Sequence, residues 1–387
     1  MRDGSRHPAE DRATPDAPIL VGADDVVPGT GSSSRSHRAD VDLVRVLGAL
    51  AIVTIHVTGP FIAAGVQGAT TGLTYWMAEI AGAASRVGVA AFFALAGWAF
   101  LTHRPDPDDA GFLARRLRRL VLPLVAWSFI YIAQNVVLST ILGRPAWPAS
   151  LGFGGWLSRE LSWLAFGPGV KYHLWFLYFL IAALVVMWLA RSVPPSDAAS
   201  ADPASASRAW MRYGIVAVGT LLMFGLASVF GIRLTWVGFG WVVGYAALGY
   251  ALFEGPHPRR AVGLAIYVVA VLVTAVLGRL VGYNLWPYFN QGPLAVLATI
   301  GFFWALRSTV LSPTMAARFD AAAGLTFGIY LAHPLVLDYL RLAVVRQPLL
   351  DLPGPLRLAI VWIVTVVVTT GLVWAWHRSR RLVDLLG

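Results

Sequence analysis

The sequence predicts an all-α, polytopic membrane protein of about ten transmembrane helices with both termini in the cytoplasm. Three observations carry that prediction. Of the 387 residues, 57% are hydrophobic and 13% charged, against roughly 25% charged in soluble domains, and the mean hydropathy is +0.67. Apolar stretches of about 20 residues, enough to cross a hydrocarbon layer of ~30 Å as helix, recur along the chain. The 30 cations are shared unequally between the segments that join those stretches.

Taken in order, residues 1–39 are polar and rich in Ser, Asp, Arg, Pro and Gly, with no apolar core that a signal peptidase would remove. They read as a disordered cytoplasmic tail, so the first span serves as an uncleaved anchor. Candidate spans follow at 42–63, 84–102, 120–141, 173–190, 213–231, 235–252, 261–281, 293–310, 322–343 and 356–377, within a membrane domain covering 40–377. The stretch "GRPAWPASLGFGGWLSRELSWLAFGPGVKY" is too polar and too broken to cross. It reads as an external loop carrying an interfacial helix anchored by tryptophan. Residues 378–387 read as a short cytoplasmic tail.

Orientation follows from the arginines. With the N-terminus inside, twenty cations fall on inner segments, nine on outer segments and Arg45 at the inner boundary, as the positive-inside rule requires. The net charge of +10 is then accounted for by topology and by attraction to anionic inner-leaflet lipid. No basic stripe interleaved with aromatics marks a nucleic-acid surface. Cysteine is absent, which excludes disulfides, thiolate metal sites and a cysteine nucleophile, and no metal site is read from the remaining residues. Arginine supplies 29 of the 30 cations; with the abundance of Ala and Gly, this points to a GC-rich bacterial genome and a plasma-membrane location.

Ionisable groups inside hydrocarbon are expensive and therefore informative. In "DLVRVLGALAIVTIHVTGPF", Arg45 and His56 are eleven residues apart, which is about 16 Å of rise and three helical turns plus roughly 20°, so they share one face. Arg45 lies at the membrane edge and His56 near the midplane. In "AAAGLTFGIYLAHPLVLDYL", His333 lies eleven residues past Ala322 and enters from the same side to a similar depth. His173, in "KYHLWFLYFLI", sits at the outer mouth of the fourth span. A lone histidine can equally serve to pack two helices, and Pro334 can supply a kink beside His333.

The run "RRLRRLVLPLVAWSFIY" places Arg115, Arg116, Arg118 and Arg119 at the cytoplasmic opening of the third span. Four such arginines satisfy the positive-inside rule by themselves. They also suit an anion, because guanidinium forks grip phosphate bidentately and a helix N-terminus adds partial positive charge. A phosphate-rich donor held there could pass an acyl group inward to a midplane histidine. Acyl transfer needs a base or a nucleophile and donors for the oxyanion, and a neutral buried histidine can be either of the first two. The alternative is a secondary transporter or flippase for a polar or glycosidic substrate, in which "GYNLWPYFNQGP" at 282–293 would line a pathway. Few intramembrane carboxylates are present to relay protons for it, Glu79 and Asp338 lying near outer ends.

The Arg45 to His56 spacing, the paired RxxR patterns Arg115/Arg118 and Arg116/Arg119, and "GIYLAHPLVL" together resemble the acyltransferase-3 family of integral membrane O-acyltransferases. "HLWFLY" at 173–178, "RRLVLPLVAWSFIY" and "GYAALGYAL" at 244–252 resemble its branch that O-acetylates bacterial surface polysaccharides. The resemblance runs from about residue 40 to 377. It implies a ten-span domain that uses cytoplasmic acyl-CoA, often acetyl-CoA, as co-substrate with no permanently bound cofactor. The acceptor is a hydroxyl of an extracytoplasmic glycan or a small secreted product. It also implies His56 as the catalytic histidine with Arg45 as its partner toward the donor, His333 beside them, and the four arginines on the CoA phosphates. His173, Trp175 and Tyr330, from the same motifs, are expected on the acceptor side. One departure stands out: in "AAFFALAGW", Ala96 occupies the serine position of the family's FFxxSG pattern, while Phe92, Phe93 and Gly97 keep the rest. No esterase-like domain follows the last span, so another protein would deliver the acceptor.

Overall fold

A computed structural model describes residues 38–102, 110–166, 169–190, 203–232, 239–282, 286–307, 309–346 and 352–387. The tail expected over 1–39 lies outside the described residues but for its last two positions. Among the described residues the protein is all helical, with no strand. The helices are α1 (Ala39–Val66), α2 (Gly72–Ala84), α3 (Val87–Thr102), α4 (Ala110–Ile141), α5 (Gly152–Phe166), α6 (Trp175–Ala190) and α7 (Pro203–Val229), then α8 (Gly240–Glu254), α9 (Arg260–Val281), α10 (Pro293–Leu306), α11 (Pro313–Ala323), α12 (Thr326–Arg346), α13 (Gly354–Trp376) and α14 (Arg380–Leu386).

Among the described residues each of the ten apolar stretches contains helix, and six helices are long and apolar enough to cross a membrane, or seven if the bent pair α11–α12 counts as one. Helices α6, α8 and α10 have 16, 15 and 14 residues, about 21–24 Å at 1.5 Å per residue. The end of α10 shows why such a helix stops early: Arg307 leaves helical geometry at ψ 141° and donates to the carbonyl of Leu252 at 2.6 Å. The second span differs most from expectation. It runs from Gly72 through the α2–α3 junction to Thr102, twelve residues longer at its start, because Tyr75, Ala78, Glu79 and Gly82 form an i, i+3, i+4, i+7 stripe buried in the protein. The ninth stretch is broken by 57° between α11 and α12. That break lies upstream of Pro334, and α12 continues through the proline.

Helix α1 is the hub and packs against α2, α3, α10, α11, α12 and α13. Lipid offers apolar helices no hydrophobic gain for pairing, so close backbone approach through small residues does the work. Helices α3 and α8 meet in this way. A Cβ on Gly97 would collide with the backbone of Ala246, and one on Gly249 with the carbonyl of Ala94. "GYAALGYAL" is therefore a packing face, as is the FFxxxG remnant of α3. Gly301 meets the backbone of Tyr267 in the same manner between α10 and α9.

The start of α1 and the ends of α3, α8 and α10 come together at one end of the bundle. Arg38 pairs with Asp40 at 2.9 Å and covers the rings of Trp98 and Phe253, while Trp98 donates to Glu254 at 2.7 Å. Residues 380–386, expected within a short tail, instead form α14 and pack on α4, where Trp127 donates to the Leu386 carbonyl at 3.0 Å. Helix α5 forms within the stretch expected between the third and fourth spans, with Trp156 buried and Phe153 and Trp163 exposed.

Candidate active site

Three histidines that are distant in sequence meet where α1, α6 and α12 converge. The His333 ring stacks on His56 with centroids 5.2 Å apart and meets His173 edge-on at 5.5 Å. Tyrosines wall the group. Tyr172 lies 4.8 Å from His56, and Tyr131 and Tyr330 each lie 5.3 Å from His173. His173 and His333 are sealed, 2% and 0% exposed, whereas His56 is partly accessible. The rings stack and cross instead of converging on one point, and among the described residues no three ligating side chains are arranged to hold a metal ion.

Prolines shape both helices that carry the stacked pair. A helical proline removes the N–H that would bond the carbonyl four residues earlier. Pro60 in α1 thus leaves the carbonyl of His56 without its helical donor, and Arg341 of α12 supplies one, with Nη2 at 2.8 Å. Pro334 in α12 does the same to the carbonyl of Tyr330, and there the donor is Nδ1 of His333, at 2.8 Å. The Tyr330 hydroxyl in turn donates to the backbone carbonyl of His173, tying α12 to the turn that leads into α6. Tyr131 donates to the Leu331 carbonyl at 2.6 Å, the backbone group that faces His173.

A charged rim closes one side of the cluster. Asp338 lies between Lys171 and Arg341, 3.5 Å from the latter and in direct ion contact with the former. The Lys171 ammonium covers the Tyr131 ring at 5.3 Å. One carboxylate between two cations leaves the rim net positive, and Arg86 is near enough for its charge to act on His56 as well. Arg86 stacks on Tyr288 at 4.7 Å and donates to its carbonyl at 3.3 Å. Reading the sequence by spans counted Arg86, Lys171 and Arg341 as outer-loop cations. For Arg341, the signal that could have found it is "HVTGP", where a proline four residues after His56 advertises a vacant carbonyl.

Of the other expected site residues, Tyr330 joins the cluster and Trp175 does not. Trp175 opens α6 but turns to Phe179 at 5.3 Å and Trp241 at 6.2 Å. Arg45 lies on the His56 face of α1, 3.6 Å from Asp42 and about 16 Å of helix rise from His56. Arg115, Arg118 and Arg119 are exposed, and Arg116 covers the Phe112 ring at 4.9 Å. Helix α4 begins at Ala110, five residues before Arg115, so the expected help from a helix N-terminus does not reach Arg118 and Arg119, since that field fades within one turn. Residues 286–288 of the suggested transporter pathway form a short 3-10 turn, and the Asn290 carbonyl takes the Tyr245 hydroxyl at 2.6 Å. Residues 283–285 of that stretch lie outside the described residues.

A separate cleft of about 360 Å³ runs along Leu47, Leu50, Ala51 and Thr54 of α1 against Tyr267 and Phe302. Those α1 positions are i, i+3, i+4 and i+7 and lie about 160° around the helix from His56. The cleft is therefore not the histidine site.

With the geometry in hand, comparison with known proteins adds one match. Residues 38–376 match the acyltransferase-domain family that the motifs resemble. Neither curated proteins nor solved structures give a match. The matched interval covers every histidine and arginine discussed above.

Proposed function

The chain belongs to the acyltransferase-3 family of membrane acyltransferases, and from that premise we propose that it carries an acyl group, acetyl in the first instance, from cytoplasmic acyl-CoA to a hydroxyl of an extracytoplasmic glycan or related secreted molecule, with His56 as the base. The reading is supported above all by the setting of His56, a partly accessible imidazole that stacks on the sealed His333 ring and lies beside Tyr172. In the reaction the hydroxyl oxygen bonds to the acyl carbon as its proton passes to His56. The carbon–sulfur bond then breaks, and the same proton leaves the imidazolium for sulfur, so that CoA departs as a thiol. Arg86 and the positive rim of Lys171 and Arg341 favour the oxyanion that forms between those steps.

Arg45 on α1 and Arg115, Arg116, Arg118 and Arg119 on α4 are the groups we assign to the donor. Arg119 precedes Tyr131, which touches His173, by twelve residues or about 18 Å. Arg45 precedes His56 by about 16 Å. Two helices thus offer guanidinium groups at similar distances from the histidines, a span that an extended phosphopantetheine arm can bridge.

The test uses purified protein in liposomes with acetyl-CoA and a membrane glycan fraction as acceptor. The chain has no cysteine, so the protein itself adds nothing to a thiol-reagent count of released CoA. His56→Ala is expected to remove turnover while the protein still folds, and normal turnover in that variant defeats the assignment. Arg116→Ala and Arg119→Ala are expected to raise KM for acetyl-CoA more than for the acceptor. Equal shifts would leave these arginines a topological role alone.

A further inference from the structure

We propose that the backbone of Leu386 and Gly387 fills the slot through which the pantetheine arm of acyl-CoA reaches the histidines, so that residues 380–387 compete with the donor from within the chain. The proposal rests on the acyl-CoA reading above and adds to it a binding slot and its regulation. It starts from two indoles. Trp127 of α4 donates to the Leu386 carbonyl and Trp376 of α13 to the Gly387 carbonyl, each at 3.0 Å. Their ring centroids lie 5.9 Å apart, so two N–H donors stand side by side. An indole N–H only donates and, once buried, needs an acceptor.

The slot lies between the arginines and the histidines. On α4, Trp127 follows Arg116 by eleven residues, three turns plus about 20°, so the two share a face. Trp127 is about 12 Å of helix rise past Arg119 and about 6 Å short of Tyr131. The Tyr131 ring meets that of Trp127 at 5.6 Å and that of His173 at 5.3 Å. On α12, Gly387 rests against the first turn, below His333. A Cβ on Gly328 would meet the Gly387 carbonyl at 2.9 Å, and one on Gly387 would meet the Phe327 ring at 2.7 Å. Contact this close leaves no room for a second chain, so Leu386–Gly387 and any other ligand of the two indoles exclude each other.

The donor's arm is built like the segment it would displace. Pantetheine is an extended chain with two amide carbonyls, separated by one methylene more than consecutive peptide carbonyls, and it ends in the thioester. Two indole donors in a narrow, glycine-lined slot suit such a chain as they suit Leu386–Gly387. Helix α14 is also suited to leave. It has seven residues, none of them buried, and so short a helix has little stability of its own. Its attachments are the packing on α4, the two indole bonds and the buried seat of Gly387, whose φ is 88°. A ligand that needs the slot empty binds with an affinity reduced by the fraction of molecules in which the segment is out.

Two measurements test this on the full chain reconstituted in lipid. The first compares binding of acetyl-CoA with binding of adenosine bisphosphate, the nucleotide half of CoA, which has no arm. Gly387→Val places a β-branched residue at positive φ and a Cβ against Phe327, so it unseats the segment. The expected result is about tenfold tighter acetyl-CoA binding, with adenosine bisphosphate binding unchanged. A synthetic peptide of residues 380–387 is expected to reverse the gain by competing with acetyl-CoA alone. Unchanged or weaker acetyl-CoA binding in folded Gly387→Val, or equal tightening of both ligands, overturns the proposal.

The second measurement leaves the seat of Gly387 intact. Leu385 is exposed and the protein has no cysteine, so Leu385→Cys carries a single spin label on α14. Saturating acetyl-CoA is expected to turn an ordered spectrum into a mobile one, whereas adenosine bisphosphate is expected to leave it ordered. A label that stays ordered with acetyl-CoA bound overturns the competition. If acetyl-CoA binds to neither the unmodified protein nor Gly387→Val, the underlying acyl-CoA reading fails, and this proposal with it.

Discussion

A proline inside a membrane helix carries a cost, and at two positions in this protein a functional side chain collects what the proline frees. At Pro60 the freed group is the carbonyl of His56, which Arg341 reaches from α12 at 2.8 Å. Restoring the backbone bond with Pro60→Ala removes a helix penalty that reaches ~3 kcal/mol in helix interiors, and the restored N–H competes with Arg341 for that carbonyl. The expected result is a higher melting temperature combined with lower turnover, because Arg341 then loosens its hold on the backbone at His56. Thermal unfolding in detergent and CoA release on the same sample check both halves. A variant that is more stable and fully active would show the contact to be dispensable.

At the scale of elements, the pairing of α3 with α8 depends on the absence of side chains at two positions. Gly249 faces the backbone of Ala94 closely enough that an added Cβ has nowhere to go. Gly249→Val is expected to destabilise the protein by more than the roughly 1–3 kcal/mol usual for an overpacked core, since backbone and not a flexible side chain must move; size-exclusion profiles and unfolding curves of the variant would reveal it. Such pairings also mark how far the sequence alone could be read. The helical class and all ten apolar segments were legible, because lipid leaves a chain few ways to satisfy its backbone except helix. The start of the second span was not, since Tyr75 and Glu79 interrupt the apolar run and their burial is a property of neighbouring helices. The depth of His56 and His333 could be counted from helix rise, but their stacking, and the inclusion of His173, depend on how α1, α6 and α12 pack. The contacts of Arg86, Lys171 and Arg341 were not legible for the same reason: a cation near a helix end looks topological until its partners are visible. Trp175 is a motif residue whose packing against Phe179 and Trp241 is likewise set by the tertiary arrangement.

For the whole molecule, the proposed reaction demands two faces, a donor side holding Arg45 and the α4 arginines and an acceptor side beyond the histidines. The start of α1 and the ends of α3, α8 and α10 share one end of the bundle. The charge count of the sequence assigns that end to the cytoplasm. Because the chain has no cysteine, single introduced thiols can test the assignment without a background. Ser150, exposed between α4 and α5, and Thr314, exposed at the start of α11, fall on opposite faces in this scheme. A membrane-impermeant maleimide added to intact cells is expected to label Ser150→Cys and spare Thr314→Cys, with the pattern reversed in inverted vesicles. Labelling of both from one side would put donor and acceptor in the same compartment, and the need for an imidazole between the two faces would disappear. Labelling in the opposite order would place the arginines outside, where nucleotide-bearing thioesters are not supplied, and the arginine cluster would then have to be explained by some other anion.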